Sequence, residues 1–169
     1  MSFSASAIIH TILTQMYPGL NGVLEKGAAY AESKNIDEQV LLNWRLAPDM
    51  WPMIRQVQIA TELPARGLAR LAGAEIPSFP DTEKSFAELR ARIAKAHAFI
   101  KDLDAAKIDA DPDGDITFPV RQDQMTMKRR LYLLHFLVPN LYFHVTMAYG
   151  NLRACGVPIG KGDYLARPQ

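Results

Sequence analysis

The sequence is nearly without cysteine. Cys155 is the single one among 169 residues, so no internal disulfide can form and nothing points to an oxidising compartment. A lone cysteine in "LRACGVP", where Gly156 and Pro158 read as a helix stop, is ordinarily a packing residue and not a nucleophile. An excess of either charge is also missing. Nineteen Lys and Arg stand against eighteen Asp and Glu, a net charge of +1. That leaves no basic face for nucleic acid or an anionic membrane surface, and the KRR block at 128–130 reads as a solvated helix start. No uninterrupted apolar run approaches the roughly 20 residues that cross a bilayer. The start, "MSFSASAIIHTILTQMYPGL", lacks the basic opening and unbroken apolar centre of a signal peptide, so a cytoplasmic protein is expected. Internal repeats and low-complexity tracts are absent too. So are a nucleophile beside a base, carboxylates paired in register, and a phosphate-cradling loop. The glycines of "GVPIGKG" at 156–162 follow a helix instead of linking a strand to one.

What is present is helical periodicity. Apolar residues make up 49% and charged residues 22%, ordinary for one globular domain spanning residues 1–169. In residues 4–33 Ile8, Ile9, Ile12, Met16, Leu20 and Val23 recur at helical spacing, with Gly19 and Gly27 beside that stripe. These glycines leave room for another helix to approach closely. A short piece follows at 37–43, with Asp37 as a cap. A second long helix is expected over 48–73, Pro48 and Pro52 fitting its first turn and Pro64 bending it. The third, over 81–103, carries Phe86, Leu89, Ile93, Ala96 and Ile100 as one stripe. In "ADPDGDITFPVRQDQMTM" Ile116, Phe118 and Val120 alternate, and so do Met125 and Met127, which predicts a small β-hairpin with Pro119 on an edge. The fourth helix covers 128–155, and the tail carrying Gly160, Gly162 and Pro168 reads as irregular. The expected fold is all-α, a four-helix bundle with a small β-hairpin before the last helix.

Chemistry, if any, lies in "HFLVPNLYFHVTMAYGNLR". At about 100° per residue, His135 and His144, nine apart, fall on roughly opposite sides of a helix and cannot share an ion. Asn140 and His144, four apart, share a face that looks inward. His97 lies on the apolar stripe of the third helix, where a single histidine is more often a hydrogen-bonded core residue than a ligand. His10 sits at the edge of its stripe.

The stretches "RLAPDMWPMIRQVQIA", "ARLAGAE", "DTEKSFAELRARIAK" and "LLHFLVPNLYFHVTMAYGNLRACGVPIGK" resemble the DinB-like superfamily of bacterial metalloenzymes, and most closely an uncharacterised branch of it. The resemblance covers most of the chain. It implies a four-helix bundle, often paired as a homodimer, with a divalent metal held by three histidines: one on the second helix and two on the fourth in H-x-x-x-H, some nine residues before an arginine. Arg153 is nine after His144, which places His144 as the last ligand and Asn140 where the other fourth-helix histidine would stand. Gln58, in "QIATE", takes the position of the second-helix ligand. Gln58, Asn140 and His144 are therefore the expected ligand pocket. A set with one imidazole and two amides suits neither zinc nor nickel, and calcium or magnesium would want carboxylates. The expectation is no tight metal, no other cofactor, and a polar pocket that takes an unknown small molecule. The alternatives are a metal-dependent, thiol-using transferase or hydrolase-like enzyme working through His144, and a structural dimer with no pocket function. Arg45, Asp49 and Arg55 cluster in "NWRLAPDMWPMIRQ" and, with His97, are the supporting candidates. A capping and surface ion-pair role is the plainer reading of Arg45 and Asp49.

Overall fold

The computed structural model describes residues 4–166, and the expectation for Pro168 lies outside them. The chain is mostly helical, with one two-stranded antiparallel hairpin before the last long helix. Helix α1, Ala5–Lys34, starts on Ser4, whose side chain accepts from the Ala7 N–H, and stops at Asn35, which takes the left-handed conformation at φ 53°. Helix α2, Glu38–Leu42, is capped by Asp37. Helix α3, Met53–Ala72, runs through Pro64 and ends on Gly73 at φ 62°, a position where a Cβ would be strained. Helix α4, Phe86–Lys101, is capped by Ser85, and α5 is a single turn, Ala105–Asp109.

Strands β1, Asp115–Val120, and β2, Asp123–Lys128, pair with Ile116 opposite Met127 and Phe118 opposite Met125. The alternation holds on β1, where Ile116 and Phe118 are buried and Asp115, Thr117 and Pro119 are exposed; on β2 Met125 is exposed and only Met127 is partly covered. Then one unbroken helical stretch covers Arg129–Ala154. It opens as the short α6, Arg129–Leu131, widens into a π-helical segment, Tyr132–Leu137, and continues as α7, Val138–Ala154. Pro139 accounts for the widening. It has no N–H for the regular ladder, and just before it Val138 N–H bonds back to the Leu133 carbonyl, a five-residue spacing. By length and composition alone this stretch would also pass for a membrane span. In the fold its apolar stripe, Leu133, Leu137, Leu141, Val145, Ala148 and Leu152, belongs to the core.

The long helices pack as a ring: α1 against α4, α4 against α3, α3 against α7, and α7 against α1. Close approach depends on glycine. A Cβ on Gly67 would lie 2.4 Å from Leu137, and one on Gly19 would lie 2.2 Å from the Tyr164 carbonyl oxygen. That carbonyl closes α8, Lys161–Tyr164, so the tail expected to be irregular forms a helical turn against α1.

Two helix starts differ from expectation. Helix α3 begins at Met53 and not at 48, because Met53 N–H bonds to the Trp44 carbonyl and Pro52 stands at the cap. Helix α4 begins at Phe86 and not at 81. Asp81 and Glu83, which would fill its first turn, are drawn instead onto Arg92.

Candidate functional site

His144 sits on α7 with its ring 9% exposed. The facing amide is Gln56 of α3, 1% exposed. His144 Nδ1 and Gln56 Oε1 are 2.7 Å apart. The amide of Gln56 is oriented by its other end, since Nε2 donates to the Trp51 carbonyl at 3.0 Å. A carbonyl can only accept, so the oxygen of Gln56 must face the imidazole, and His144 Nδ1 must carry the proton. The lone pair of His144 is thereby placed on Nε2, which bonds to no protein group among the described residues. Burial, and then the cation of Arg55, push the pKa of His144 down to about 4. The ring is neutral near pH 7.

Large apolar side chains on the elements that carry this pair, and on the segment leading into α3, are open to solvent. Phe143 meets the His144 ring edge-on at 5.1 Å and is 51% exposed. Trp51 is 61% exposed and carries the Arg55 guanidinium 6.0 Å above its ring. Trp44 and Leu46 are exposed as well, and Leu46 lies over Gly150 of α7.

Asn140 shares the face of His144, but its Nδ2 donates to the Phe136 carbonyl at 2.7 Å. Its amide therefore serves the backbone just ahead of it in the helix. Gln58, expected opposite His144, does not pair with it. Two residues on from Gln56, it projects about 200° around α3. Its Nε2 donates to Glu83 at 2.9 Å, and its oxygen accepts from Arg55 at 3.4 Å. It belongs to a charge network centred on Arg92, whose side chain is 3% exposed. Arg92 donates to the Thr61 hydroxyl at 2.9 Å, the Pro80 carbonyl at 3.1 Å and Glu83 at 2.9 Å, and it pairs with Asp81 at 3.0 Å and Glu62 at 3.6 Å. Arg55 also pairs with Asp81, and Arg66 with Glu62. Burial pushes the Glu83 carboxyl up, but the bonds from Arg92 and Gln58 outweigh it and hold Glu83 below the usual carboxylate range. The network fastens the α3–α4 connection to both helices.

The other candidates separate. Arg45 donates to the Met50 carbonyl at 3.3 Å and forms no ion pair with Asp49, which is exposed three residues ahead of the Pro52 cap. His97 lies edge-on to Tyr17 at 5.6 Å, on the far side between α1 and α4. Burial, then Lys101 and His10, lower its pKa. His135 is exposed. Burial raises the Cys155 thiol, which keeps it protonated and weakly nucleophilic. Arg153 donates to the Val157 carbonyl at 3.3 Å and closes the helix end. Of all these, Arg55 alone belongs with His144, through its field.

Gln56 was the residue to find. It stands three after Met53 and four before Ala60, both fully buried, a spacing as visible in sequence as that of Gln58 with Ile54 and Thr61.

The donor set does not fit a tightly held transition metal. The oxygen of Gln56 is already engaged by the imidazole, which leaves His144 Nε2 as the one free imidazole nitrogen of the pair, with the Asn140 oxygen on the same helix face. A structural or catalytic zinc uses three or four strong ligands, and the adjacent Arg55 cation opposes a second positive charge. Among the described residues no three His, Cys, Asp or Glu side chains gather in a metal-binding group.

A family profile described as a domain of unknown function, DUF1993, matches residues 6–165. A crystal structure of a DinB family member protein from Shewanella denitrificans is 39% identical to the chain, covering 92% of this chain and 88% of that one with a TM-score of 0.83. No curated protein matches.

Proposed function

Because the chain belongs to the DUF1993 family, a branch of unknown function with a DinB-type fold, we propose that it is a four-helix bundle that binds a small molecule at His144 without a tightly held metal. The observation that carries this reading is the Gln56–His144 bond of 2.7 Å. In metal sites the second nitrogen of a ligating histidine is commonly held by an outer partner, and Gln56 supplies such a partner. With one strong donor, however, Nε2 is better matched to a hydrogen-bond donor on an organic ligand than to an ion. The exposed rings of Trp51 and Phe143 offer apolar contact for the remainder of that ligand. A cytoplasmic location is part of the same reading.

Catalysis by His144 as a general base is the weaker alternative. A base works best with a pKa near the working pH, and a value of about 4 leaves His144 a poor proton acceptor at neutrality. A homodimer is favoured by one observation, the exposed Trp44, Leu46, Trp51 and Phe143. Sedimentation at micromolar concentration would show a single species of twice the chain mass if two copies cover that surface.

Metal content tests the main reading. Protein purified without a histidine tag is expected to carry far less than one equivalent of zinc, nickel, iron or manganese. One equivalent of any of them, lost in His144→Ala, would overturn it.

A further inference from the structure

A concavity of about 260 Å³ lies between α3 and the π-helical segment, and its walls include Arg55, Arg66, Arg70, Phe118, Tyr132 and Phe136. It is separate from the His144 pair, although Arg55 stands between the two. The sequence builds the polar wall from one stripe of α3, in which Arg55, Glu62, Arg66 and Arg70 follow at helical spacing. The opposite wall is aromatic, with Phe136 half-buried at the surface and Phe118 and Tyr132 buried behind it. Tyr132 and Phe136 stack at 5.6 Å with their planes 13° apart, and Phe118 from the hairpin leans on both, at 4.4 Å and 4.7 Å. The wide turn ahead of Pro139 supplies two of these three rings, and such turns recur at functional sites.

The charges facing the concavity do not cancel. Arg66 pairs with Glu62, and Arg55 with Asp81 and Glu62. Arg70 pairs with no carboxylate among the described residues, and Tyr132 lines the same concavity. A cation in the last turn of α3 also suits the helix dipole, but the dipole gives no reason for a second arginine and three rings around it. A planar guanidinium fork with an unused edge, a phenol beside it and an apolar wall opposite match a carboxylate carried on a ring. The volume lies at or below the low end of small-molecule sites, roughly 300–1,000 Å³, which fits one ring and excludes a nucleotide.

We propose that this groove binds a small monocyclic aromatic carboxylate, its carboxylate on Arg70 with Arg66 nearby and its ring against the half-buried Phe136, behind which Phe118 and Tyr132 are packed. The proposal does not rest on the function suggested for His144. Calorimetric titration of the full chain with phenylacetate tests it, with phenylacetamide as the uncharged counterpart and acetate as the ringless one. Phenylacetate should saturate at one site and bind at least about tenfold more tightly than either control. Arg70→Gln should abolish the preference for the acid over the amide. Arg70→Lys should recover only part of it, since a point charge cannot form the paired bonds. His144→Ala should leave the dissociation constant within about twofold of the parent value. Equal binding of acid and amide, an unchanged preference in a folded Arg70→Gln variant, or no saturation by phenylacetate at tens of millimolar would each overturn the proposal.

Discussion

At the scale of single residues, the question is which nitrogen of one imidazole holds the proton. Gln56 answers it, because its own amide is fixed by the Trp51 carbonyl. A consequence follows for stability. His144 stays neutral in the folded chain down to a pKa of about 4, whereas in the unfolded chain it protonates near 6.5. Between these values the unfolded chain binds the extra proton, so this contribution is complete above about pH 6.5 and is lost as the pH falls toward 4. The loss amounts to at most about 3 kcal/mol. Urea unfolding at pH 7 and pH 4.5 should show it, and His144→Gln should flatten that part of the dependence. An unchanged slope in the variant would mean that the ring titrates alike in the folded and unfolded chain. Truncation of the two glutamines should also separate their roles. Gln56→Ala strands the Nδ1–H and should cost about 1–3 kcal/mol. Gln58→Ala should leave the His144 titration in place, as read from the C2 proton resonance, because Gln58 is spent on Glu83.

The elements are held by two features that sequence patterns show unequally. One is the buried ion network. Arg92→Met removes the cation that Asp81, Glu83 and Glu62 share and leaves carboxylates without it. The expected loss is about 3–5 kcal/mol, with new protease cleavage between Pro77 and Lys84, where the connection is no longer fastened. The other is close packing. Gly67→Ala would drive a Cβ to 2.4 Å from Leu137, a side chain 1% exposed with nowhere to turn, and should cost about 1–3 kcal/mol by denaturant titration. Much of this level could be read in advance. The stripes of α1 and α4, the Asp37 cap and the alternation of Ile116 and Phe118 are all local patterns, and Gly19 stands out beside its stripe. The start of α4 was not legible, because Asp81 and Glu83 suit a first helical turn until a buried arginine from the next helix claims them. Nor was the π segment. A proline in a helical pattern announces a disturbance without saying which ladder replaces the regular one.

For the molecule as a whole, the ring of helices explains how a correct face can be given to a wrong partner. Gln58 does point inward, as its spacing from Thr61 requires, but each helix of the ring has two inward neighbours. The side of α3 that bears Gln58 meets α4, and the side that bears Gln56 meets α7. Periodicity separates inside from outside, while the choice between neighbours is made by tertiary packing. On the face where α3 meets α7 this chain carries one imidazole, His144, bonded to Gln56, with the cation of Arg55 close by.

Nitrogen-15 resonances of the imidazoles, with His144 assigned by comparison with His144→Gln, test this arrangement most directly when followed during a zinc titration at pH 7. The account predicts a proton on Nδ1, a lone pair on Nε2, and no change in either at one equivalent of zinc. A proton on Nε2, or stoichiometric capture of the metal by that nitrogen, would contradict it.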